Sequence, residues 1–104
     1  MKSCDLREAD FRGAKLNGAD LTNSNLDDAN LRGANLAGAD LSGVSLVGAD
    51  LRGCSFRGAL LHATEFVRPG FPNPRVDGVI LDEADIDGLS ELQQKFLDKT
   101  VRKL

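Results

Sequence analysis

A Leu or Phe falls on every fifth residue from Leu6 through Phe11, Leu16 and Leu21 to Leu61 and Phe66, thirteen times without a break. Two places before each sits a small residue. It is usually Ala, with Cys4, Ser24, Val44, Cys54 and Thr64 as variants. Between the two lies a residue that is mostly Asp or Asn. A run of this length makes tandem repeats the first fact about the chain.

A period of five fits neither the helical period of about 3.6 nor the strand period of about 2. It does fit a short extended piece followed by a corner. In an extended piece the Leu/Phe centre and the small residue two places earlier point the same way, so both point inward. The residue between them, as at Asp5, Asp10, Lys15 and Asn25, points out. The two residues after each centre turn the chain. Gly13, Gly18, Gly33, Gly38, Gly43, Gly48, Gly53 and Gly58 all stand two places after a centre, and Asn23 and Asp28 share that slot. These residue types accept the positive φ that a type II turn needs there. Four such sides close a square of about twenty residues, stacked at roughly 4.8 Å per coil. The narrow tube leaves room for one large side chain per pentad.

The A-(D/N)-L-x-x run resembles the pentapeptide-repeat proteins. That resemblance implies an all-β solenoid, a right-handed quadrilateral β-helix, with the handedness taken from the family. About four coils and a C-terminal α-helical cap are expected, as one domain over residues 1–104. The divisions are regular repeats at 4–66, a Pro-rich distorted coil or loop at 67–78, two last repeats at 79–88 and a capping helix at 89–104.

Pro69, Pro72 and Pro74 interrupt the pattern, yet Phe71, Val76, Leu81 and Ile86 keep the register of five. Two arrangements follow: a fourth coil distorted at the two Pro-bearing pentads, or an excursion of about ten residues. Beyond Gly88 the apolar period becomes helical, through Leu89, Leu92, Phe96, Leu97, Val101 and Leu104. Ser90 is the expected N-cap. Acids precede the helix, at Asp85, Asp87 and Glu91, and bases follow at Lys95, Lys99, Arg102 and Lys103, as the helix dipole favours. A cap over the last coil is expected. A membrane-surface or partner-binding helix is the functional counterpart.

Aligning residues twenty apart puts Arg12, Arg32 and Arg52 in one outward column beside Asp10, Asn30 and Asp50. This is the candidate partner-binding face: an Arg column suited to an acidic partner, or a solvated Arg/Asp ladder whose pairs contribute little. The short segment before Cys4 leaves the first coil's edge bare, which points to a homodimer through the N-terminal coil or to a frayed end.

The net charge of −3, from 13 basic and 16 acidic residues, offers no basic patch for nucleic acid. No apolar run reaches the roughly 20 residues of a membrane span, and no targeting segment opens the sequence. Two placements follow: a cytoplasmic protein, or one whose leader has been removed. Cys4 and Cys54 lie about two and a half coils apart, beyond the roughly 7 Å Cα separation of a disulfide, and read as small buried hydrophobes. His62 stands alone in an outward corner. Asp82, Glu83, Asp85 and Asp87 lack a Ca²⁺-loop pattern. No enzyme, cofactor or metal site is expected.

The expected function is a non-enzymatic structural or protein-interaction module presenting flat faces to an unknown protein partner. The resemblance supplies an alternative, because some family members look like duplex DNA and protect DNA gyrase from quinolones. Charge density opposes it. Residues 4–66 hold nine acids and six bases, whereas about 20 Å of duplex carries about twelve phosphate charges.

Overall fold

A computed structural model describes residues 1–102. The chain winds into a right-handed quadrilateral β-helix of four coils, residues 4–23, 24–43, 44–63 and 64–88, followed by α1, Glu91–Leu97. Each side of the square contributes one parallel bridge to the coil above. The bridging residue is the outward one before the centre, as in Asp5 with Asn25 and Asn25 with Ser45. The centre's amide points up the tube: Leu31 donates to Asp50 O at 2.8 Å and Leu36 to Ser55 O at 2.8 Å.

Inside, the expected two inward positions per pentad hold. Leu26, Ala29, Leu31, Ala34 and Leu36 are buried, and so is Cys54, whose thiol is pushed up to about 12 by loss of solvent. Cys4, in the first coil, is half-buried, and both cysteines are unbridged. Phe56 and Phe66 meet edge to face, their ring centroids 6.2 Å apart. The two polar residues in small slots are satisfied by the coil below: Thr64 Oγ1 donates to Leu41 O at 2.8 Å, and Ser24 Oγ accepts from Cys4 N at 3.1 Å.

The corners explain the outward Asp/Asn. Its side-chain oxygen accepts the amide two residues on, as in Asp40 from Ser42 N at 3.0 Å and Asn35 from Ala37 N at 3.0 Å. Short acceptors of this kind cap turns readily. The left-handed corner slot is not confined to Gly, Asn and Asp: Glu8, Ala63 and Glu83 hold φ of 64°, 57° and 61° there. Gly43 has a second reason to be Gly, since a Cβ would meet Asn23 Oδ1 at 2.1 Å. Gly88 departs from the pattern. Its φ is not left-handed, and a Cβ would sit 1.7 Å from His62 Nδ1, so this glycine serves close approach to the coil below.

The fourth coil corrects both expected arrangements. Bridges run twenty residues apart up to Ser45–Glu65, then twenty-five apart at Asp50–Arg75, Ser55–Ile80 and Leu60–Asp85. One pentad has left the tube, neither distorted in place nor doubled to ten residues. The register of five survives because the excursion is one repeat long. Phe71, expected inside, is 54% exposed, and Val76 takes its place above Leu51. The pentad Pro69–Asn73 is the worst fit to the tube. Gly70 in its outward slot cannot cap the corner, and Pro72 has no amide to be capped. The next pentad keeps an amide at Asp77 and a corner Gly78 with φ 74°. The excursion folds down over the corner of the coils beneath, leaving Val47 only 3% exposed. Arg68 anchors it, pairing with Glu65, lying 4.0 Å from Asp27 and stacking 5.1 Å over the Phe71 ring.

The cap starts at Glu91, two residues later than expected, and is rotated. α1 ends at Leu97 and passes into a wider π turn, Asp98–Arg102. Lys103 and Leu104 lie outside the described residues. Ser90 has an extended N-cap backbone, but its hydroxyl makes no capping bond. Leu89, Gln93 and Leu97 form the buried stripe, while Leu92, expected inside, is 47% exposed. The reason is Gln93. Its Oε1 accepts from Phe66 N at 2.6 Å and Val67 N at 2.9 Å, and its Nε2 donates to Val67 O at 2.9 Å. A side-chain amide thus replaces the peptide of a fifth coil on one side of the square, satisfying groups that are costly to leave unpaired.

Deleting Arg68–Pro72 restores twenty-residue spacing throughout. That variant is expected to unfold cooperatively, less stable by about 1–2 kcal/mol for the uncovering of Val47. Deleting only Arg68–Phe71 shifts the following coil by one residue and turns its core side chains outward, so its thermal transition broadens or disappears. Circular dichroism melts of the two variants check this.

Candidate functional site

The expected Arg column exists, but two of its three cations are already engaged. Backbone bonds from Gly13 N to Arg32 O and from Gly33 N to Arg52 O stack Arg12, Arg32 and Arg52. Arg12 folds back on Asp10, with Nε and Nη2 at 2.9 and 2.8 Å from its two carboxylate oxygens. Arg52 does the same to Asp50, at 2.9 and 2.6 Å. Asp5 and Arg7 repeat the arrangement at the side before, at 2.8 and 2.7 Å. The motif is local. The same carboxylate that caps the corner amide lies in reach of the guanidinium carried by that corner. Arg32 follows Asn30, which caps its amide at 3.2 Å, and Arg32 forms no ion pair among the described residues.

The displaced pentad alters the top of this face. Arg75 now bridges Asp50, and Asp77 stands above Arg52. The outward column therefore reads Asp10, Asn30, Asp50, Arg75, and the corner column Arg12, Arg32, Arg52, Asp77. The charges cross over in the fourth coil. Counting by twenties hides this, because it assigns Gly70 and Pro72 to those places.

The paired carboxyls are held below their usual range. Asp10 is lowered chiefly by the Arg12 guanidinium and Asp50 by that of Arg52. Asp5 falls to about 2, from the Arg7 guanidinium first and the Arg7 amide second.

A second site lies where the repeats break. The excursion and α1 enclose a groove of about 340 Å3 lined by Val67, Phe71, Leu92 and Phe96, with Arg68, Lys95 and Lys99 at its edges. Sequence reasoning missed it, because Phe71 and Leu92 were both assigned to the interior. The signal available was Pro72 directly after Phe71, which denies that pentad its corner cap.

His62 is exposed as expected and packs on Gly88. In the late acidic group, Asp82 and Glu83 lie 3.4 and 4.0 Å from Arg57, and Asp85 caps the amide of Asp87 at 3.2 Å. Among the described residues no three His, Cys, Asp or Glu side chains gather as a metal site, and no helix is long and apolar enough to cross a membrane.

The family model described as pentapeptide repeats matches residues 4–43 and 24–62. No curated protein matches the chain. Among solved structures, the pentapeptide repeat protein alr5209 from Nostoc Pcc 7120 is 35% identical, with a TM-score of 0.62 over 79% of this chain and 60% of its own. A trypsin-treated form of QnrB1, a plasmid-mediated fluoroquinolone resistance protein, is 24% identical, with a TM-score of 0.52 over 93% of this chain and 63% of its own. The chain thus spans less than two thirds of the length of either. At that identity the second likeness concerns the fold alone.

A carboxyl with a lowered folded pKa favours the folded state above its unfolded value, and that contribution fades as pH falls through the folded value. For Asp5 the window runs from 3.8 down to about 2. In a carboxyl-carbon NMR titration, Asp5 is expected to show a midpoint of about 2, and Arg7→Ala to return it toward 3.8. A wild-type midpoint at 3.8 would mean that the Asp5–Arg7 ring does not form in solution.

Proposed function

The chain belongs to the pentapeptide-repeat family, and from that footing we propose that it is a rigid, non-enzymatic protein-interaction module. Family members are generally structural or interaction modules. The observation that carries the reading is where apolar surface remains. The tube is filled by its own side chains, and among the described residues the two most exposed apolar side chains after Met1, Phe71 at 54% and Leu92 at 47%, flank one groove. Concentrated apolar surface on a soluble fold marks an interaction site.

The Arg face is the second candidate surface, with Arg32 as its guanidinium without an ion pair among the described residues and Asp10 and Asp50 already committed to Arg12 and Arg52. A second copy of the chain, paired through the first coil, is a further possible partner: the amides of Asp5, Asp10 and Lys15 have no partner among the described residues. A cytoplasmic site of action belongs to the proposal, since two unbridged cysteines suit a reducing compartment. The gyrase-directed DNA mimic gains no specific support, because its charge-bearing face is paired Arg and Asp rather than a run of acids.

The test is site-specific photo-cross-linking in lysate of the source organism, with a photoreactive phenylalanine at Phe71 and, separately, at exposed Asn35. A discrete protein captured from Phe71 and not from Asn35 is the expected outcome. Capture that survives at Phe71 but disappears on replacing Arg12, Arg32 and Arg52 by Ala would extend the interface to the Arg face. No capture from either position would contradict the interaction reading.

A further inference from the structure

We propose that the groove between the excursion and α1 docks a short acidic segment that carries an apolar or aromatic side chain. This inference rests on the interaction reading above and adds the chemistry of the partner. The floor of the groove is apolar, through Val67, Phe71, Leu92 and Phe96, and every charged residue lining it is a cation: Arg68, Lys95 and Lys99. Among the described residues no Asp or Glu lines it, in a chain with 16 acidic and 13 basic residues. The contrast with the first coil is direct, where a shallow cleft is lined by Asp5, Arg7, Glu8 and Asp28.

The two lysines are available. Lys99 forms no ion pair among the described residues. Lys95 meets Glu91 at 2.9 Å, but the side chains are 72% and 82% exposed, and such surface pairs contribute little and are readily exchanged. Arg68 is fixed over Phe71 by Glu65, so one cation and one aromatic ring are presented together in a set orientation. An incoming carboxylate beside an apolar side chain satisfies both features at once. Charge opposes a second copy in the same groove. A two-fold pairing would set Lys95 and Lys99 against their own equivalents.

The probe is a fluorescein-labelled peptide of about twelve residues, Asp and Glu interleaved with Leu and one Phe, a length suited to a surface groove. It is titrated with the intact chain by fluorescence anisotropy. Saturable binding is expected, weakened at least about tenfold by Lys95→Glu with Lys99→Glu and by a similar factor with Phe71→Ser, and reduced by raising salt. A peptide with Lys replacing its acids should not bind. Amide shifts in ¹⁵N spectra of the wild type should gather at 67–71 and 92–99, a readout that needs no variant to fold. Equal binding of the basic peptide, shifts centred on the Arg face, or no saturation would overturn the proposal. So would light scattering that shows the chain pairing with itself through this groove. If cross-linking at Phe71 captures a partner while the acidic peptide fails to bind, the acidic-segment inference falls and the interaction module stands. If both fail, both readings fall.

Discussion

The structure depends on one hydrogen bond, repeated at almost every side of the square. The amide of each Leu or Phe centre donates to a carbonyl in the coil above. That bond fixes the stacking, and the stacking sets what each pentad position can be. The centre must fill the tube from one side. The residue two before it must be small. The residue between them faces out, free to turn its oxygen onto the corner amide. The corner residue must enter the left-handed region, which favours Gly, Asn and Asp and is reached at a modest cost by Glu8, Ala63 and Glu83. A ladder with these demands leaves no open interior. It has two exposed edges, and at the upper one Gln93 supplies a side-chain amide where the next peptide would lie.

The repeat region was readable because each pentad obeys the same local rule, and no distant contact is needed to apply it. The inward Leu31 and Ala34, the outward Asn35 and the corner Gly38 follow from position alone. Legibility ended where a choice depended on neighbours. Phe71 and Val76 both sit in register, and only comparison of their surroundings decides which stays. Gly70 and Pro72 cannot close a corner, whereas Asp77 and Gly78 can. In α1 the helical period marked Leu92 as buried, but the unpaired amides of Phe66 and Val67 pull Gln93 inward and turn Leu92 out. The requirement to satisfy backbone polar groups overrode the apolar pattern. The Arg column was legible as a column. Its local pairing was not, because that depends on side-chain direction at a corner.

These two departures generate the candidate surface. A perfect solenoid of this type offers polar ladders whose charges neutralise one another over two residues, as Arg12 does with Asp10 and Arg52 with Asp50. Leu60 and Ile80 stand exposed in ordinary outward slots, but apolar and cationic surface gathers in one groove where the repeat is broken. Here one pentad leaves the tube and one cap is rotated, and both breaks fall at the same corner. Phe71 comes from the first and Leu92, Lys95 and Lys99 from the second. The loss of one pentad also brings Arg75 and Asp77 onto the Arg face, reversing its charges at the top.

The most direct test of this account is which carbonyl receives the amide of Leu51. Scalar couplings across hydrogen bonds, measured by NMR on labelled protein, identify the acceptor. The account predicts couplings from Leu51 N to the carbonyl of Arg75 and from Phe56 N to that of Ile80. Couplings from Leu51 to Gly70 and from Phe56 to Arg75 would mean that the Pro-rich pentad remains in the coil. The groove, the reversed charges and the exposed Phe71 would then all fall together.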